Sequence, residues 1–205
     1  MTNFEKMCAE TVPLFLSYDQ AEMIRRCSLR ADGDSLYPVY LGEELRLDRK
    51  TGDLFRADGS EADPGLTLIV FDYLCHDTEP RPLSGRLCPA SALPGLGVSR
   101  PKDGDFYSRY SEQFDSHIAE LAQTLTDMGG KPFPTGDAAA EFQLFPGFPL
   151  VFQFWEGDEE FPSSVRFLWD ERTGDYLHFE TLFYIMGDFL RRLTERFPHR
   201  KEPTT

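Results

Sequence analysis

Residues 138–170, AAAEFQLFPGFPLVFQFWEGDEEFPSSVRFLWD, decide how this chain is read. In the first run Ala138, Ala140, Phe142 and Leu144 fall on one face, and Glu141 and Gln143 on the other. Successive side chains of a pleated strand point to opposite faces, so this two-residue period predicts a half-buried antiparallel strand. Pro146-Gly147 then turns the chain. Leu150, Phe152 and Phe154 alternate with Val151, Gln153 and Trp155, which makes both faces largely apolar and the strand a central one. A third run sets Val165, Phe167 and Trp169 against Ser164, Arg166 and Asp170. The second and third runs are joined by an acidic connection, Glu156-Gly157-Asp158-Glu159-Glu160-Phe161-Pro162.

Helical signals flank these strands. Phe4, Met7, Cys8 and Thr11 follow helical spacing up to Pro13, and Asp19 with Glu22 three residues on opens a second short helix with Met23, Ile24 and Cys27 on its apolar face. Residues 37–56 switch to short alternating runs broken by Gly42-Glu43 and by Arg49-Lys50-Thr51-Gly52, the pattern of a small β-meander. Asp63-Pro64 is a helix entry, and the run that follows is apolar on both sides. Residues 78–105 hold too many prolines and glycines for long elements, yet Leu83, Leu87, Leu93, Leu96 and Val98 anchor a folded connector. A helix is predicted over about residues 108–128, with Phe114, His117, Ile118, Leu121, Leu125 and Met128 as its stripe and Gly129-Gly130 as its stop. A last helix starts near Phe179, presents Leu182, Phe183, Met186, Phe189, Leu190, Leu193 and Phe197 inward, and carries Arg191, Arg192 and Arg196 near its C-terminal end.

Composition excludes several classes of partner. The 205 residues carry 35 acidic against 21 basic side chains, a formal charge of −14, so the surface field repels phosphate backbones and anionic lipid. No apolar run approaches the ~20 residues that cross a bilayer. Cys8, Cys27, Cys75 and Cys88 show no C-x-x-C spacing and read as reduced thiols of a cytoplasmic protein.

The segments Gly136-Asp137-Ala138-Ala139-Ala140-Glu141-Phe142-Gln143-Leu144 and Phe154 to Ser164, and the stretch Phe167 to Asp170 leading to Tyr176-Leu177 before a terminal helix, resemble a prokaryotic domain-of-unknown-function family. Its members occur in anaerobes, and some carry a cysteine-rich iron–sulfur domain on the same chain. The resemblance covers roughly residues 105–195. It implies a fold and a setting but no catalytic residue, and this chain has no cysteine cluster that could ligate such a centre.

Chemistry therefore has to be weighed residue by residue. Glu156, Asp158, Glu159 and Glu160 offer oxygen ligands to a hard cation or a docking surface to a basic partner, although their spacing fails the twelve-residue calcium loop, and a solvated hairpin tip is the simpler role. Cys75-His76-Asp77 carries metal-binding residue types, but helix neighbours point about 100° apart and do not chelate one ion unaided. That stretch reads as a core cysteine beside a helix-end histidine. His117, on the apolar stripe, reads as a satisfied core residue, and His178, before the last helix, reads similarly. Trp155 and Trp169 belong to the sheet core before they belong to a pocket. No G-x-S-x-G elbow, H-E-x-x-H pair, P-loop or dinucleotide fingerprint occurs.

These readings predict a single α+β domain over residues 1–205, with a frayed tail at 198–205. Its antiparallel sheet of about five or six strands packs against several helices, including a long C-terminal one. They favour a non-enzymatic binding or accessory protein with a protein partner, and the resembled family implies a metal- or corrinoid-dependent anaerobic system. Trp155, Glu156, Asp158, Glu159, Glu160, Arg172 and His178 are the candidates for ligand or partner binding, with no metal ligand, cofactor or catalytic residue assigned. The rival is an enzyme with a divalent-metal site at residues 156–160, served by His178 or Arg172.

Overall fold

The computed structural model describes residues 11–76, 81–94 and 110–198. They fall into two compact units, one drawn from Met1–Arg81, Leu144–Gly147 and Asp175–Ile185, the other from Pro82–Gln143, Phe148–Gly174 and Met186–Thr205.

In the first unit residues 11–17 are helical, and α1 (Gln20–Cys27) starts where the Asp19 carboxylate accepts the N–H groups of Ala21 and Glu22. Glu22 pairs with Arg25 instead of reaching back to the cap. Six short strands follow: β1 (Arg30–Ala31), β2 (Ser35–Tyr37), β3 (Val39–Tyr40), β4 (Glu43–Glu44), β5 (Arg46–Asp48) and β6 (Leu54–Phe55). They form a four-stranded antiparallel sheet in the order β1-β2-β5-β6 and a separate β3-β4 hairpin. The hairpin turns on Leu41 and Gly42, both at positive φ (47° and 78°), as a tight turn matched to strand twist requires.

Helix α2 (Pro64–Leu74) is capped by the Asp63 carboxylate on the Leu66 N–H, with proline at its first position. It buries Leu66, Leu68, Ile69, Val70, Phe71, Tyr73 and Leu74, which explains why its sequence is apolar on every side. Phe71 stacks on Phe15 at 5.1 Å and Tyr73 on Phe145 at 3.8 Å. Burial pushes the Tyr73 hydroxyl and the Cys27 thiol above their ordinary pKa values.

The second unit centres on a five-stranded antiparallel sheet in the order β7-β11-β10-β9-β8: β7 (Leu87–Pro89), β8 (Lys131–Pro132), β9 (Ala138–Phe145), β10 (Phe148–Trp155) and β11 (Ser164–Asp170). The period-two reading holds on all three long strands: Ala138, Ala140 and Phe142 are buried on β9, residues 150–154 are buried on both faces of β10, and Val165, Phe167 and Trp169 are buried on β11. Phe152 lies opposite Phe167 in the β10–β11 register. Phe189 of α4 (Phe179–Arg196) seats its ring against Phe142, Phe152 and Phe167 at 4.9, 5.4 and 5.5 Å. These contacts complete the core of an α+β fold that ends in a long helix.

The helix predicted over 108–128 is shorter, with α3 covering Ile118–Asp127. Ser116 adopts a left-handed φ of 65° and donates its N–H to Glu156 Oε1, which breaks the register one residue before His117. His117 is therefore the residue before the helix, not part of its stripe, and its Nδ1 lies 2.6 Å from the Asp115 carbonyl. Phe114 stays buried by packing edge-on against Phe154 and Phe197. At the far end Gly129 takes a φ of 88°, and a Cβ on Gly130 would stand 2.6 Å from the Phe142 ring and 2.8 Å from the Leu125 carbonyl.

The helix read around Phe4 to Cys8, half of the connector at 78–105, Asp77, and the tail from residue 199 lie outside the described residues. Of that connector, 81–94 are described, and they form β7 and a turn of 3₁₀ helix that buries Leu93. No helix among the described residues is long and apolar enough to cross a membrane.

Candidate metal centre

Helix α2 carries a single carboxylate, Asp72, in an otherwise apolar face. A charge held there needs a partner, because desolvating an unpaired carboxylate is costly. Asp72 finds it in His178, the residue before α4: Oδ2 accepts the His178 backbone N–H at 2.9 Å, and Oδ1 lies 2.5 Å from ring Nδ1. Helix α4 thus starts with a carboxylate from another helix at its N-terminal end, where the aligned peptide dipoles favour negative charge. The His178 carbonyl accepts the Thr181 N–H at 3.1 Å and so begins the first turn.

Four residues after Asp72, just past the C-terminal end of α2, comes His76, 5% exposed. Arg26 of α1 fixes this turn from below, donating from Nη2 to the carbonyl of Leu74 at 2.5 Å and from Nη1 to that of His76. The guanidinium thereby caps the end of α2, where unsatisfied carbonyls collect. His76 and His178 meet edge to face with ring centroids 4.6 Å apart.

One ligand atom from each of Asp72, His76 and His178 lies within 4.8 Å of the other two. Donors on a shared tetrahedral ion at about 2.1 Å stand roughly 3.4 Å apart, so closing the group needs movements of at most about 1.4 Å. His178, whose side chain is 64% exposed, has room to make them. Two imidazoles and a carboxylate are a donor set for zinc, cobalt, nickel, copper or iron, and a poor one for calcium or magnesium.

Of the residues singled out from sequence, His178 and His76 enter this group. Trp155 is partly buried at the end of β10, where the Arg166 guanidinium lies 5.0 Å from its ring centroid. Glu156 receives the Ser116 N–H at 2.7 Å and donates its own N–H to Asp137 at 2.8 Å. Asp158 Oδ1 accepts the N–H groups of Glu160 and Phe161 at 2.8 and 2.7 Å, and these bonds hold the carboxyl below its ordinary pKa. Glu159 and Glu160 are exposed, as is Phe161 (68%). Among the described residues these acids do not converge on a shared position for an ion, and Asp72, His76 and His178 do. Arg172 belongs elsewhere. It donates to the Pro82 carbonyl at 2.5 Å, beside the buried Asp170 carboxylate that also accepts the N–H groups of Ser84, Gly85 and Arg172.

Asp72 is the residue that reading the sequence missed. Its signal is the lone acid of the apolar run GLTLIVFDYLCH, four positions ahead of a histidine, and it supplies the outside help that Cys75-His76 lacks by itself.

The chain belongs to the family described as domain of unknown function DUF3786, which it matches over residues 19–192. No curated protein and no solved structure matches it.

Proposed function

We propose that this chain is a metal-binding accessory protein that holds a divalent transition-metal ion at the centre formed by His76 and His178 with Asp72 beside them. The observation that carries this is the convergence of two imidazoles and one carboxylate within 4.8 Å at the C-terminal end of α2 and the start of α4. The elements holding it are anchored: α2 is buried along its length, its end is tied down by Arg26, and the start of α4 is bonded to Asp72. Supports of this kind preorganise a binding site. A binding or accessory role is favoured because no standard catalytic signature occurs in the sequence, and the iron–sulfur domains carried by some members of the resembled family fit a metal-handling setting. The acidic loop at 156–160, with Trp155 and Phe161 beside it, is the surface we assign to a protein partner, its charge suiting a basic one.

Equilibrium dialysis of purified protein against zinc, cobalt, nickel, magnesium and calcium, followed by elemental analysis, tests the metal reading. One equivalent of zinc or cobalt retained, and lost in His76→Ala and His178→Ala, supports it. Retention of no transition metal, or retention unchanged in both variants, refutes it.

A further inference from the structure

The bonding around Asp72 assigns atoms within this centre, an inference that rests on the metal-binding reading above. An ionised carboxylate can only accept hydrogen bonds. Asp72 lies 2.5 Å from His178 Nδ1 and accepts the backbone N–H of the same residue at 2.9 Å, so the ring proton of a neutral His178 sits on Nδ1 and the lone pair on Nε2. Both carboxylate oxygens are thereby engaged by His178. The ring itself is largely exposed, its side chain 64% accessible, while the Asp72 side chain is only 14% accessible. A shielded carboxylate behind an exposed imidazole is the arrangement by which outer carboxylates set the tautomer and basicity of metal-binding histidines.

We propose that His178 binds the ion through Nε2, that His76 supplies the second nitrogen, and that Asp72 is a positioning residue behind His178, not a ligand. Two neutral imidazoles leave the ion's double charge without a first-sphere anion and its coordination incomplete. The remaining positions therefore take water or a small anionic donor, which makes the centre a site for anions of the carboxylate or azide type. Borderline metals that favour nitrogen donors, zinc and cobalt above all, are the ions it selects.

Two readouts on the full chain test this. In protein labelled with ¹⁵N-histidine, two-bond correlation spectra report the tautomer of each ring, with His178→Ala identifying the His178 signals. Expected in the metal-free protein is His178 protonated at Nδ1, and on addition of zinc a shift centred on its Nε2. The cobalt form should change its visible spectrum on titration with azide. Asp72→Ala should move the ring toward the other tautomer and weaken zinc binding about 10–100-fold, as loss of an outer carboxylate does, whereas His178→Ala should abolish it. Asp72→Asn, which keeps one acceptor oxygen, gives an intermediate effect and guards against a folding defect in the alanine variant. Zinc shifting Nδ1 in place of Nε2, Asp72→Ala costing as much as His178→Ala, or a cobalt spectrum indifferent to azide each overturns this assignment while leaving metal binding intact. Failure of either ion to bind overturns both readings.

Discussion

Asp72 and His178, 106 positions apart in sequence, are joined by two hydrogen bonds, at 2.9 Å to the backbone N–H and 2.5 Å to the ring. The same carboxylate thus starts one helix and positions the side chain that precedes it. Asp72→Ala removes the acceptor for that N–H and the anion at the helix start. A lost cap of this kind costs about 1–2 kcal/mol, to be read as a lower urea midpoint at unchanged slope. His178→Ala keeps the backbone bond and should cost less than half as much.

Asp170 offers a second, sharper case. Its carboxylate is fully buried and accepts the N–H groups of Ser84, Gly85 and Arg172. Asp170→Ala strands these donors, and a buried hydrogen-bond network broken this way loses roughly 3 kcal/mol or more. Hydrogen exchange should show the amides of Ser84, Gly85 and Arg172 losing protection first.

Phe189 touches Phe142, Phe152 and Phe167, the aromatic core between α4 and the sheet. Phe189→Ala leaves a cavity and should destabilise by about 3–5 kcal/mol, and Phe189→Leu by much less. Equal effects of the two substitutions in chemical denaturation would contradict this packing.

Acid should loosen the connection between β10 and β11. The N–H groups of Phe161 and Glu160 hold the Asp158 carboxyl below its ordinary value of 3.8. A depressed acid contributes stability that is present above its unfolded pKa and is lost as pH falls through the folded one. The turn at residues 158–161 should therefore persist at pH 5 and give way only below about pH 4. Asp158→Asn should abolish that pH dependence, followed through the amide resonances of Glu160 and Phe161.

The sheet was legible because burial writes itself into sequence at period two: Phe142, Phe152, Phe154 and Phe167 each fall where alternation puts them. The starts of α1 and α2 were legible because Asp19 and Asp63 cap locally. The break at Ser116 was not, since the group that stabilises its left-handed turn is Glu156, forty positions away. The candidate metal centre was half hidden for the same reason. Asp72 lies in α2 and His76 just past its end, but only the fold brings them His178. A local pattern can name a histidine as unusual without naming the carboxylate that gives it a role.

The most direct measurement is a calorimetric titration of the purified protein with zinc, beside His76→Ala and His178→Ala variants that retain the native circular dichroism spectrum. One equivalent bound by the native chain, with the heat gone in both variants and no heat with magnesium, is the predicted result. No zinc heat in the native chain, or the same heat in the variants, contradicts a metal centre at Asp72, His76 and His178.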